Sequence, residues 1–176
     1  QVIKRTVLNT VESLIGPLRG VNTHSVLGYV HKAYPPIYSK LAQKSGFKSS
    51  LVIRGIEGSV VPSLRQKGLM YSYYQNLEKK KVEIDPKEIG IQSDLRAIAI
   101  PKKLEGVNNR DILAKHVANL GMNALAGERG MFYDGLLYSA SVILWHLEIE
   151  KSIIEASEKV RAVLDSAVAI NRVKEN

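Results

Sequence analysis

The residues best suited to chemistry lie in one short stretch, Arg54-Gly-Ile-Glu-Gly58. It follows the apolar run Leu51 to Ile53, which reads as a buried β-strand. In α/β proteins, ligands collect beyond the carboxyl ends of strands, and glycine there lets the backbone come close to them. Gly55 and Gly58 flank Ile56 and Glu57, and the cations Arg65 and Lys67 follow before the next acid, Glu78. A glycine-bearing, cation-rich loop suits a phosphate-bearing ligand. Glu57 alone is a poor magnesium site, because a metal–pyrophosphate substrate needs carboxylates close together. Glu57 is expected to pair with Arg54 or to accept N–H groups of the turn. A solvated loop after a strand would give the same pattern.

Two further places invite the same question. Lys4-Arg5 stands at the start of an apparent helix, Thr6 to Ile15, where free N–H groups and two cations suit an anion. A frayed basic terminus would look identical. His31 follows a second short apolar run and could bind or shuttle protons, although a lone histidine is more often structural. There is no cysteine, so disulfides, thiolate metal sites and a cysteine nucleophile are excluded. No Walker A loop, dinucleotide fingerprint, His-Glu-x-x-His or nucleophile elbow occurs. No apolar run is long enough to span a bilayer, so no membrane partner is expected and a cytoplasmic location is.

The 176-residue chain carries a net charge of +8. Residues 1–67 hold ten bases (Lys4, Arg5, Arg19, Lys32, Lys40, Lys44, Lys48, Arg54, Arg65, Lys67) and two acids, Glu12 and Glu57. That difference, 10 − 2 = +8, is the whole excess, so the remainder is neutral. A one-sided basic excess is the footprint of a phosphate-bearing partner. Scattered lysines that serve only solubility are the competing explanation.

These residues must be held by an α/β frame. Val26–Val30 reads as a strand, Pro35-Pro36 opens a helix that Gly46 ends, and 51–54 is the next strand. Strand, helix and strand over about 30 residues make a parallel βαβ unit. It sets Tyr29-Val30-His31 beside Arg54-Gly55. Leu69–Tyr74 and Lys81–Asp85 read as further strands, with Lys79-Lys80-Lys81 as a solvated hairpin tip. Tyr71 and Tyr73 share a face, expected to pack in the core; the alternative is a platform for bases. Leu95–Ile100 fits strand or helix. Asn108 or Asn109 caps a helix that Gly121 closes, with Ile112, Leu113, His116, Val117 and Leu120 as its buried stripe. Met131–Leu147 is apolar nearly all round, hence a central buried helix. Ser152–Val173 reads as one last helix. The chain is thus expected to be a single α/β domain over residues 1–176, a mixed sheet flanked by helices.

Three segments resemble the carboxyl-terminal part of the anthranilate phosphoribosyltransferase-like family, also called glycosyltransferase family 3. Arg5-Thr-Val-Leu-Asn-Thr-Val-Glu-Ser-Leu-Ile-Gly-Pro17 resembles its Arg-Thr…Asn…Gly-Pro helix. Val52-Ile-Arg-Gly-Ile-Glu-Gly58 resembles its strand and His-Gly-x-Asp-Gly turn, and Gly127 to Ala140 its late helix. The resemblance implies a phosphoribosyltransferase-type α/β domain, incomplete here. The missing part would hold a helical dimerisation domain, giving a homodimer, and the glycine-rich diphosphate loop.

The departures from the family pattern matter as much. An acidic pair that binds magnesium follows the turn in the catalytic branch; here Val60 and Val61 stand there. Arg54 replaces the turn's histidine and Glu57 its aspartate, while Tyr133 and Ser139 stand where the family usually has Arg and Asn. Arg-Gly-x-Glu-Gly is similar to the branch described as non-catalytic and nucleic-acid-binding. The expected function is therefore sequence-independent binding of single-stranded nucleic acid, without catalytic residues, metal or cofactor. Its basic groove would comprise Lys4, Arg5, Arg54, Arg65 and Lys67, beside the turn Gly55, Glu57 and Gly58. The alternative is an anthranilate-type phosphoribosyltransferase, which would use magnesium.

Overall fold

The computed structural model describes residues 12, 14–16, 19–74, 80–97, 106 and 109–175. Contacts divide the chain into two compact units, residues 1–62 with 67–84, and residues 63–66 with 85–176. Of the expected helix Thr6–Ile15, the described residues Glu12, Leu14 and Ile15 are helical, and the rest lies outside the described residues.

The first unit is a four-stranded mixed sheet in the order β1 (His24–Gly28), β2 (Ser49–Ile53), β3 (Gly68–Tyr74), β4 (Lys80–Ile84). β1 and β2 are parallel; the other pairs are antiparallel. Helix α1 (Tyr34–Lys44) makes the crossover, with proline in its first turn and Gly46 in the left-handed region just beyond its end. All five residues of β2 are buried, which explains its apolar run. β1 starts and ends two residues before the expected Val26–Val30, although the Tyr29 N–H still donates to the Ile53 carbonyl at 2.9 Å. Tyr71 and Tyr73 do share a face. They join Leu27, Tyr29, Val52, Ala42 and Phe47 in the core that packs on α1, so neither forms an open stacking platform.

The second unit is helical: α2 (Arg110–Leu125), α3 (Met131–His146), α4 (Ile153–Asp165) and α5 (Val168–Lys174). α3 is the buried helix, enclosing Tyr133, Leu137, Tyr138, Ser141, Val142 and His146. α2 is capped by Asn109, whose side chain accepts from the Asp111 and Ile112 N–H groups. It does not stop at Gly121: the glycine is helical, and the helix runs on to Leu125. Its expected stripe is not buried either. Ile112 is 51% exposed and Val117 39%, while Ala124 is the buried residue. The pattern is amphipathic, and α2 packs on α3 and α5.

Ser152–Val173 is two helices rather than one. Ser152 caps α4 by accepting from the Glu155 N–H, and Ala167 takes φ 56 between α4 and α5. Val160, Leu164 and Ile170 are buried on both sides of that break. With Ala167 between Leu164 and Ile170 the 3-to-4 spacing continues through the break, so periodicity could not reveal a single left-handed residue. Residues 95–97 form neither strand nor helix, and 98–100 lie outside the described residues. Among the described residues, no helix is long and apolar enough to cross a membrane.

Candidate functional site

The turn at the carboxyl end of β2 closes on itself. Ile56 N–H donates to the Val61 carbonyl at 2.9 Å, Ser59 N–H to the Ile56 carbonyl at 2.9 Å, and Val61 N–H to Ser59 Oγ at 3.2 Å. Glu57 (φ 51) and Gly58 (φ 82) take left-handed backbone, a conformation that costs glycine least. The turn lies hard against the end of β1. A Cβ built on Gly28 would sit 2.0 Å from the Gly58 carbonyl oxygen, and one on Gly55 would sit 1.6 Å from that of Ser59. These two positions therefore require glycine for lack of space, and Gly28 is a site residue that sequence reasoning missed. Its signal was a glycine inside an apolar strand, which marks a close backbone approach.

Arg54 and Lys67 come together, and Glu57 does not join them. Arg54, Lys67, Gly68, Leu69, Lys81 and Glu83 line one open cleft on the sheet. The Arg54 N–H donates to the Leu69 carbonyl, and Lys67 pairs with Glu83 at 3.0 Å. Among the described residues Arg54 and Glu57 form no ion pair. Lys81 was expected on a tip away from this surface. Register puts it opposite Tyr71, two pairs along from Leu69 and Glu83 and so on the same face, and it lines the cleft. The rings of Tyr29 and Tyr71 have centres 5.9 Å apart. Burial above all, then the Tyr71 phenol, pushes the Tyr29 phenol up to about 12, against the opposing pull of Arg54.

Arg65 belongs to the helical unit, where it lines a cleft with Lys87, Gln92, Ser93 and Asp94. Lys4 and Arg5 lie outside the described residues. His31 is exposed and tilted against Tyr34, ring centres 5.9 Å apart. Val60 is 41% exposed and Val61 half-buried. The magnesium implied by the resemblance does not fit here: no carboxylate stands at 60 or 61, and the described residues hold no cluster of three metal-ligating groups.

In the helical unit the late-helix segment forms a clasp. Arg129 stacks over the Tyr133 ring at 4.2 Å and pairs with Asp165 at 2.6 Å, while the Tyr133 hydroxyl donates to Asp165 at 2.7 Å. Tyr133, standing where the family usually has arginine, thus ties the start of α3 to the end of α4. Burial raises the Asp134 carboxyl above its usual range, partly countered by Arg161 and Arg129.

A mixed sheet with one parallel crossover and a glycine turn beyond it makes an α/β fold, and its likeness to solved structures identifies it as the phosphoribosyltransferase type. Solved structures share that fold. Anthranilate phosphoribosyltransferase of Saccharomyces cerevisiae in complex with 4-fluoroanthranilate aligns over 97% of this chain and 46% of its own, at TM-score 0.72 and 20% identity. The same enzyme with PRPP and Mg gives 0.71 and 21% over the same shares, and that of Thermus thermophilus gives 0.59 and 19% over 97% and 47%. In sequence, residues 1–170 match the glycosyl transferase family, a/b domain (family 3), and the chain belongs to that family. Anthranilate phosphoribosyltransferase of Paracidovorax citrulli (strain AAC00-1) is 25% identical over 97% of this chain and 46% of its own length. An uncharacterised protein of Aquifex aeolicus (strain VF5) is 25% identical over 80% of this chain and 40% of its own. The chain spans less than half the length of these relatives.

Proposed function

We propose that the protein is an anthranilate-type phosphoribosyltransferase of glycosyltransferase family 3, and that this chain supplies part of its α/β domain. The observation carrying this reading is likeness over nearly the whole chain, in sequence and in fold, to anthranilate phosphoribosyltransferases. The reaction would form a bond from the amine nitrogen of an aromatic acceptor to C1 of the phosphoribosyl group. The C1–oxygen bond to pyrophosphate breaks, and the amine loses a proton. On this chain the turn after β2 suits the anionic donor, with Arg54 offering positive charge to its oxygens. No step is assigned to magnesium, because Val60 and Val61 cannot ligate it. Loss of anthranilate fluorescence with phosphoribosyl diphosphate tests the reading in the protein with its full flanking sequence. Turnover is expected, with kcat/KM at least tenfold lower in Arg54→Ala. Absence of transfer by folded protein, with and without magnesium, overturns it.

Val60 and Val61, with Arg54, Lys67 and Lys81 together, favour a second reading: single-stranded nucleic acid bound through phosphate contacts. Arg54→Ala/Lys67→Ala/Lys81→Ala should weaken oligonucleotide binding at least tenfold and flatten its log-salt slope by up to about three phosphates' worth. Lys40→Ala/Lys44→Ala/Lys48→Ala removes equal charge around the far end of α1 and should matter much less. Equal losses would mean diffuse attraction and would sink this reading.

A further inference from the structure

At the amino ends of β1 and β2 lies another open cleft, of about 490 Å³, whose walls include Arg19, Asn22, Thr23, Ser45, Gly46 and Lys48. Thr23 and Lys48 immediately precede the two parallel strands, and the Lys48 N–H donates to the Thr23 carbonyl at 2.7 Å. The turn after β2 stands at the other ends of these five-residue strands, about 16 Å away at the rise of a β-strand. The cleft is therefore separate from the surfaces used by either reading above.

Both cations of this cleft are held in place. The Arg19 guanidinium lies 4.2 Å over the ring of the buried Phe47 and donates to the Ile15 carbonyl at 3.1 Å. The Lys48 ammonium donates to Asn22 Oδ1 at 3.2 Å, and the Gly20 N–H closes the intervening loop on Thr23 Oγ1 at 3.0 Å. A guanidinium has five N–H donors and an ammonium three, so most of them remain for a ligand. No carboxylate lines the cleft, and among the described residues neither cation is in an ion pair. Two cations sharing a cleft without an acid repel each other, and an oxyanion between them replaces that repulsion by attraction. A guanidinium already stacked on a ring has less freedom left to lose on binding, and its planar fork matches a phosphate. No aromatic side chain lines the walls, so the cleft offers a base nothing to stack on.

We propose that this cleft binds the phosphate group of a small ligand, inorganic phosphate or a phosphate monoester, through Arg19 and Lys48. Amide NMR titrations of the full chain test it, with inorganic phosphate and glycerol 3-phosphate as probes and sodium chloride at matched ionic strength as the blank. Both probes should shift the signals of residues 19–23 and 45–48 saturably, and the tighter of the two names the source of the phosphate. Arg19→Gln and Lys48→Gln should each weaken binding about tenfold, the scale of a lost hydrogen bond between charged groups. Lys48→Gln leaves Arg19 on Phe47, so it carries the test even if Arg19→Gln fails to fold. Arg54→Ala/Lys67→Ala/Lys81→Ala should leave the affinity unchanged. Shifts that chloride reproduces, or that fall outside these two segments, overturn the proposal. So does a loss in the Arg54 triple variant as large as that in Lys48→Gln.

Discussion

Replacing Gly28 by alanine puts the contact between β1 and the turn to a direct test. The added Cβ would meet the Gly58 carbonyl oxygen at 2.0 Å, the Ser59 oxygen at 2.3 Å and the Ser59 carbonyl carbon at 2.5 Å. Carbon and oxygen pack at about 3.3 Å, so the turn or the strand must move by about 1.3 Å. All three obstacles are backbone, so no rotamer change relieves them. Overpacking of this kind costs about 1–3 kcal/mol. Alanine recovers about 0.5–1 kcal/mol by restricting the unfolded chain. The net loss should therefore be about 1–2 kcal/mol. Gly121→Ala is the control, because nothing lies within 4 Å of its Cβ and the residue is helical. It should stabilise by about 0.5–1 kcal/mol. Urea unfolding compares the two, and hydrogen exchange across residues 55–61 should rise in Gly28→Ala alone. If Gly28→Ala is as stable as Gly121→Ala and exchange is unchanged, the turn does not rest on β1 and the geometry of the candidate site is wrong.

The helical unit and the sheet each offer sharper checks. Tyr133→Phe removes the 2.7 Å bond to Asp165 but leaves the Arg129 pair, so it should cost about 1 kcal/mol in urea unfolding with an unchanged slope. Ser152→Ala strips the cap of α4 and should cost about 1 kcal/mol by the same measurement. Burial, then Lys48, holds His24 below its usual 6.5. A depressed histidine favours folding while neutral, so stability should fall as pH drops below 6.5. His24→Gln should flatten that fall in a pH series of thermal melts; a variant as steep as the wild type would refute the assignment.

Legibility followed the range of the interaction. The βαβ unit could be read because it depends on local signals: an apolar run at β2, Pro35-Pro36 at the head of α1, and Gly46 at its end. The buried α3 could be read because its apolar residues cover nearly every face. The partial exposure of the α2 stripe could not, since amphipathic spacing states which face is apolar and not how far a neighbour covers it. The α4–α5 break turns on the backbone of one residue, Ala167, whose type gives no warning. At the site, Arg54, Gly55 and Glu57 announced themselves by following a strand. Lys81 did not, because its place beside Arg54 comes from antiparallel register across two strands. Arg65 lines a cleft with Lys87 and Asp94, a neighbourhood that its place in the sequence does not announce.

The turn after β2 shows that two kinds of information are written there separately. Its shape rests on Gly28, Gly55, the left-handed Glu57 and Gly58, and a ring of backbone hydrogen bonds. None of these uses the side chains of residues 60 and 61. Val60 is exposed and Val61 half-buried, so neither is a packing anchor on which the turn depends. A turn can therefore keep the geometry of a ligand-facing loop while its chemistry changes from acidic to apolar. Membership in the family rests on the sequence match over residues 1–170, whereas activity would have to follow from the chemistry of the turn. Likeness in sequence as well as in fold underlies the proposed transferase reading, whereas the valines and the Arg54–Lys67–Lys81 cleft underlie the proposed nucleic-acid reading.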